Sequence, residues 1–301
     1  MYRREFIKYT GLGLLGLGMG PLLGRRISRA SDTGLHAVWV ENGEPEDLLQ
    51  AGFDAYGGIK RFISEGDVVV LKPNIGWDRE PEFAATTNPE LLKYLVTLCR
   101  EAGAKEVKVF DRTCNNPRRC YRSSRIEQMA KEAGADVDQI RDFRFTDLQL
   151  PNGERVSEWP IYRDYLEADK VINIPIAKVH SMSRVTLGLK NLMGVMGGDR
   201  GSIHNHFSTK LIDIDQEILP TLTIIDAYRM LMHNGPVGGD LADVKKARTL
   251  IISDCTVTAD ALALRLFDYK VDQIEHIQEA YRRQLNRYPR EQLSLKTITL
   301  S

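Results

Sequence analysis

Cysteine is scarce: there are four residues in 301, at positions 99, 114, 120 and 255, with no C-x-x-C pair and no ferredoxin-like run. A site built mainly of cysteine, whether structural zinc or an iron-sulfur cluster, is therefore excluded. Two motifs are also missing. Without G-x-x-x-x-G-K-[ST] there is no ready-made cradle for a nucleoside triphosphate, and without a G-x-S-x-G elbow the serine-nucleophile reading of Ser181 or Ser183 beside His180 has no support. Excess charge is absent too, at 41 Lys+Arg against 41 Asp+Glu. That balance hides an asymmetry, because residues 1 to 30 hold six of the basic side chains and one acidic one, leaving 35 against 40 in the remainder. An acidic remainder argues against a nucleic-acid partner.

What residues 1 to 30 do contain is a basic start, Tyr2-Arg3-Arg4-Glu5-Phe6-Ile7-Lys8, feeding an apolar stretch over about residues 9 to 24. This pattern is similar to a twin-arginine export signal. The stretch is shorter than the roughly 20 apolar residues that span a bilayer and is diluted by glycine. Gly11, Gly13 and Gly16 fit G-x-G-x-x-G, but no strand precedes them, so the dinucleotide reading lacks its context. No clear small-x-small cleavage pattern surrounds Ala30. Both a removed signal and a retained anchor stay open, and the expected location is periplasmic or otherwise extracytoplasmic, with the export machinery as a partner. Cys114 and Cys120, among arginines, either pair as a small-loop disulfide after export or stay as thiols.

Residues 31 to 301 read as a single α/β domain. Short β-branched apolar runs at 35–40, 67–72, 106–111, 170–177, 221–227 and 247–254 predict buried strands. Helical patterns lie between them. One starts at Asn88 as N-cap and Pro89, places Leu91, Leu95, Leu98 and Ala102 on a stripe and stops at Gly103; another is expected from Ser124, with Glu127 completing a capping box, to Gly134. The alternation predicts a doubly wound, mostly parallel sheet covered on both faces. The turn Pro151-Asn152-Gly153 interrupts it with an inserted antiparallel hairpin, and two C-terminal helices are expected to cap the sheet.

In such sheets ligands bind beyond the carboxyl ends of the strands. The predicted strand ends carry Lys72 and Asn74, Asp111, Lys178 and His180, Asp226, and Asp254. Any one of these has an ordinary reading as a helix cap or solvated charge. Jointly they point to a polar cleft on one edge.

In order and spacing, Lys72-Pro73-Asn74, Ala168 through Pro175, Lys178-Val179-His180, Lys190-Asn191-Leu192-Met193-Gly194, His204, Asp226, Asn234-Gly235-Pro236 and Asp260-Ala261 resemble domain-of-unknown-function family 362. The resemblance covers about residues 66 to 268. It implies the fold and the place of the site, and brings no agreed activity. Members often carry an attached ferredoxin-type module, and some are exported by the twin-arginine route; this chain lacks the cysteine run, so no cluster is expected. Ser253-Asp254-Cys255-Thr256 departs from the Ser-x-Asp-Pro-like stretch usual in that family.

Two chemistries fit the stretch from 178 to 206. In the first, His180, His204 and His206 with Asp199 or Asp226 ligate iron, zinc or manganese. In the second, Lys72, Lys178 and Lys190 neutralise a small acidic ligand, Asn191 orients it, the glycine-rich backbone from Gly194 to Gly201 donates amides, and His180 acts as general acid or base. The plainest alternative is a flexible loop bearing exposed histidines. The leading expectation is an enzyme with Lys178, His180 and Lys190 at its centre, and the rival is a non-catalytic periplasmic binding or accessory protein using the same cleft.

Overall fold

The computed structural model describes residues 34–301, so the export-signal reading of residues 1 to 30 lies outside the described residues. Strands are β1 (Ala37–Glu41), β2 (Val68–Pro73), β3 (Glu106–Val109), β4 (Asp136–Val137), β5 (Phe145–Gln149), β6 (Glu158–Tyr162), β7 (Lys170–Ile174), β8 (Ile176–His180), β9 (Arg184–Thr186), β10 (Leu222–Leu231), β11 (Val244–Ser253) and β12 (Leu295–Thr299). Helices are α1 (Pro45–Ala55), α2 (Pro89–Glu101), α3 (Pro117–Ser123), α4 (Ile126–Glu132), α5 (Arg163–Glu167), α6 (Gly188–Asn191), α7 (Phe207–Ile218), α8 (Thr256–Ala263) and α9 (Glu275–Arg282).

The strands assemble in the order β12-β1-β11-β10-β7-β2-β3-β4, with β8 on β10 and β9 on β8. From β10 to β4 the ladder is parallel, as the βαβ rhythm predicts; β11 runs antiparallel to both β1 and β10. Alternate residues go to opposite faces. Val69 and Leu71 join a core with α1 and α2, whereas Val70 packs on the other side with Tyr162 and Leu211. Both faces being covered is why these strands read as continuous apolar runs.

The predicted start of α2 holds: the Asn88 side chain accepts a hydrogen bond from Glu90 N at 3.1 Å, with Pro89 at the first turn. The hairpin around Pro151 is present as β5 and β6, in a two-stranded sheet of its own. Other expectations need correction. The helix expected from Ser124 to Gly134 is present as α4 but starts only at Ile126, because Ser124 closes the preceding helix α3 and Arg125 stands in the left-handed region at φ 60°, and Glu127 pairs with Lys131 rather than closing a capping box. The strand expected at 170–177 is interrupted at Pro175, which cannot donate to a ladder. The chain shifts there from β7 to β8, and each half pairs with a different stretch of the long β10. This step carries Lys178 and His180 onto the ligand edge of the sheet.

Candidate functional site

Lys72, Asn74, Asp111, Lys178, His180, Lys190, Asn191, Asp199 and His204 come together around one cavity of about 720 Å³ beyond the carboxyl ends of β2, β3 and β8. Arg112, Cys114 and Arg200 join them. Five cationic side chains, Lys72, Arg112, Lys178, Lys190 and Arg200, therefore face two carboxylates, Asp111 and Asp199.

The floor is a buried ion pair. Lys72 and Asp111 meet at 2.8 Å with side-chain exposures of 1% and 3%. The other carboxylate oxygen of Asp111 accepts from Ile75 N at 2.6 Å, and Lys72 Nζ also donates to the Pro73 carbonyl at 2.7 Å. Burial pulls the Lys72 ammonium below its usual range while Asp111 pulls it back. Gly194, the last residue of K-N-L-M-G, closes over this pair: a Cβ there would lie 1.7 Å from Asp111 Oδ1 and 2.5 Å from Lys72 Nζ, so only glycine fits.

A chain of amides locks the wall. Asn74 Nδ2 donates to Asn191 Oδ1 at 2.9 Å, Asn191 Nδ2 to Asn173 Oδ1 at 2.8 Å, and Asn173 Nδ2 to the Gly188 carbonyl at 2.9 Å. Short helix α6 is held at its start by Asp260, buried on α8, whose oxygens accept from Gly188 N at 2.6 Å and Leu189 N at 2.9 Å. This gives the Asp260-Ala261 motif a physical role: it sets the helix that presents Lys190 and Asn191. Asp260→Ala is expected to cost about 1–3 kcal/mol, the penalty for stranding buried donors, read as a lower denaturant midpoint with an unchanged slope.

Lys178 is buried on β8, donating to the Ala85 carbonyl at 2.5 Å and to Asn74 Oδ1 at 3.3 Å. Burial first, then the charges of Lys190 and Lys72, bring its ammonium down to about 7. Lys190 is lowered to about 8 by burial and by Arg200; its recorded polar contact is Met193 Sδ at 3.7 Å, with the ammonium 5.4 Å above the Phe207 ring. Arg200 donates to the carbonyls of Arg112 at 2.8 Å and Thr113 at 3.1 Å, and Arg112 to those of Met196 at 3.0 Å and Gly198 at 3.1 Å. These bonds fasten the 192–204 segment to the exit of β3. Residues 192 to 197 are buried and two 3₁₀ turns, Leu192–Val195 and Arg200–His204, fill the segment, so the flexible-loop reading is wrong for its first half.

The histidines divide their roles in a way the sequence does not reveal. His180 Nδ1 accepts from Met182 N at 3.2 Å and Ser183 N at 3.4 Å, which puts the ring proton on Nε2. Burial and the neighbouring lysines bring His180 down to about 3, so it is a neutral hydrogen-bond donor rather than a base. His204 is the reverse: its Nδ1 lies 2.9 Å from the Gly201 carbonyl and must donate there, so that in the neutral ring Nε2 is the acceptor.

Several expected site residues are elsewhere. Asp226 is wholly buried, does not line the cavity, and accepts from Asn88 N at 2.7 Å and Tyr228 N at 3.1 Å; burial raises it to about 6. Asp254 lies at the opposite edge, bonded to Tyr288, because β11 is antiparallel and its carboxyl end faces the other way. His206 lines a neighbouring cavity with Phe207 and His276. The proposed metal set of His180, His204, His206 and Asp199 is thus not assembled, and among the described residues no group of three or more His, Cys, Asp or Glu side chains is placed to hold a metal ion. The protonated Nε2 of His180 and the surrounding cations fit a dication poorly, since a ligating histidine donates through its other nitrogen. Cys114 is exposed and Cys120 buried, both as free thiols, so the disulfide is not formed.

The sequence profile of the family described as "Domain of unknown function (DUF362)" matches residues 69–265. The chain belongs to the DUF362 family. Within this DUF362 chain, the matched span contains every cavity residue named above. A thylakoid-associated protein of Synechocystis sp. is 28% identical over 219 residues, 70% of this chain and 67% of that protein. Among solved structures, the lactate racemase apoprotein of Thermoanaerobacterium thermosaccharolyticum is 12% identical with a TM-score of 0.49, over 77% of this chain and only 57% of that one. Among the described residues no helix is long and apolar enough to cross a membrane.

Sequence reasoning missed Arg112 and Arg200, and singled out Cys114 as a thiol without placing it at this cavity. Arg112 directly follows Asp111 at a strand end and was within reach of the same edge rule. Arg200 had no local signal; it reaches the cavity only because the 192–204 segment folds back onto β3.

Proposed function

We propose that this DUF362 chain is an enzyme acting on a small acidic metabolite held in the cationic cavity, and that it works outside the cytoplasm. The observation that carries the ligand class is the surplus of buried or half-buried cations, five against two carboxylates on one wall. Unpaired ammonium groups are costly to bury, so a bound carboxylate or phosphate relieves the site as it is bound. Lys190, with no carboxylate partner among the described residues, is the leading contact; Arg200 and Arg112 are already fastened to backbone carbonyls and supply a fixed field. Lys178 and the His204 lone pair supply proton acceptors, and His180 Nε2–H supplies a donor. That division of labour favours a reaction over mere capture, because a pure binding site gains nothing from an amine held near 7.

The test is the pH dependence of anion affinity, with inorganic phosphate and succinate as calorimetric probes. Lys178 and Lys190 give up protons as pH rises through about 7 and 8. Affinity is therefore expected to fall steadily from pH 6 to pH 9, with proton uptake on binding near neutrality. A pH-independent affinity, or no binding of either probe at low salt, sinks the reading.

Location rests on two supports: the thylakoid association of the Synechocystis relative and the Arg3-Arg4 segment with its apolar sequel. Expression of the full chain with Arg3→Lys/Arg4→Lys is expected to leave the protein in the cytoplasmic fraction, whereas the parent chain leaves it. Equal fractionation of the two ends that proposal.

A further inference from the structure

Among the three lysines of the cavity, each amine has a different setting. Lys72 is tied to a carboxylate at 2.8 Å and stays an ammonium. Lys190 has a thioether at 3.7 Å and the Phe207 ring at 5.4 Å beside it, with no carboxylate partner among the described residues, and so can meet an incoming anion. Lys178 is buried, with two of its three hydrogen positions engaged by neutral oxygens, the Ala85 carbonyl at 2.5 Å and Asn74 Oδ1 at 3.3 Å. Among the described residues no carboxylate fixes its charge, and the third position faces the cavity that Lys178 lines.

We propose that Lys178 is a covalent catalyst that condenses with the carbonyl carbon of a small 2-oxo acid to form an imine. This rests on the anion-site reading and narrows it to acids carrying a carbonyl group. The carboxylate is placed against Lys190 and Arg200, which line the same cavity. The carbonyl oxygen accepts from His180 Nε2–H, the donor two residues further along β8, where i and i+2 share a face. The free amine of Lys178 attacks the carbonyl carbon; a C–N bond forms, the C=O π pair moves to oxygen, and a proton passes from nitrogen to that oxygen to give a carbinolamine. Loss of the second nitrogen proton and of hydroxyl as water breaks the C–O bond and leaves C=N. The sum is amine plus ketone giving imine plus water, with no oxidant or reductant. Burial among other cations is the arrangement that keeps a lysine partly uncharged and nucleophilic at neutral pH.

Thr186 strengthens the assignment. It faces Lys178 across the β8–β9 ladder, is 4% exposed, lines the cavity, and its Oγ1 has no hydrogen-bond partner among the described residues. A buried hydroxyl without a partner beside the amine is supplied with one by a carbonyl or carbinolamine oxygen.

The test is reductive trapping on the full-length protein with sodium cyanoborohydride, using pyruvate and 2-oxoglutarate as probes and succinate as the carbonyl-free control. The expected result is a mass gain equal to the oxo acid minus water plus two hydrogens, mapped by peptide analysis to Lys178, suppressed by excess succinate and lost in Lys178→Met. Calorimetry on the same unmodified protein separates the two readings. Binding of pyruvate, 2-oxoglutarate and succinate with no adduct, or with adduct on Lys190 or Lys72, overturns the imine while leaving the anion site standing. No binding of any of the three, nor of inorganic phosphate, overturns both. Because the label is located on the parent protein, the result does not depend on whether Lys178→Met folds.

Discussion

Asp111→Asn is expected to lose about 3–5 kcal/mol of folding stability, the cost of leaving a buried charge without its partner. The reason is the geometry of the pair. Lys72 is at the end of a central strand with 1% of its side chain exposed, so its ammonium is almost wholly withdrawn from water when the carboxylate goes. An amide cannot neutralise it, and the bond from Ile75 N to Asp111 Oδ2, at 2.6 Å, is weakened as well. Guanidinium denaturation of the two proteins reads the difference directly. A loss below about 1 kcal/mol, the scale of an exposed pair, would mean that the cavity floor is wetter than its burial implies. The double change Lys72→Met/Asp111→Asn is expected to recover part of the loss, because it removes the stranded charge along with its partner.

The second large effect is on binding and has the opposite stability signature. Lys190→Met keeps the apolar stem and removes the ammonium, so anion affinity is expected to drop about tenfold to 150-fold, equivalent to about 1.5–3 kcal/mol for a hydrogen bond to a charged group. Folding stability at pH 7 is expected to stay level or rise. Lys190 is held below its ordinary value by burial and by Arg200, so the folded state binds that proton less readily than the unfolded chain does. Native stability therefore gains between about pH 8 and the ordinary lysine value as the unfolded chain alone keeps the proton, and below pH 8 the folded state bears the full cost of the buried charge. The ammonium's place over Phe207 offsets part of that cost, and a methionine sulfur there retains some of the contact. Calorimetry with phosphate and a thermal melt on the same sample decide the matter; equal loss of stability and affinity would show that Lys190 is part of the scaffold instead.

These two residues illustrate a division between scaffold and site inside one cationic wall. Lys72 spends its charge on the protein, through Asp111, and is sealed by Gly194. Lys190 has no such partner and stands on a helix fixed by Asp260 and by the amide chain through Asn191. The K-P-N, K-x-H and K-N-L-M-G motifs thus divide structurally: the glycine and asparagines shape the cavity, while Lys178, Lys190 and His180 line it without a carboxylate partner among the described residues, and it is these three that the proposed function assigns to the ligand.

The sequence by itself determined the layered α/β class, the start of α2 at Asn88, the hairpin around Pro151-Asn152-Gly153, and the gathering of Lys72, Asn74, Asp111, Lys178, His180 and Lys190 at one sheet edge. These follow from side-chain period and cap chemistry, which act over a few residues and are written in order along the chain. Tertiary structure alone decided three further matters. The direction of β11 is set by the strands beside it and not by its own apolar run, so Asp254 went to the opposite edge. The shift at Pro175 split one expected strand in two and placed β8 against the far half of β10. The proton positions on His180 and His204 follow from which backbone groups the folded chain brings to each Nδ1, two amides in one case and a carbonyl in the other. A histidine's identity is local, but its tautomer belongs to its neighbours in space, and that is why the sequence could name both rings without dividing their roles.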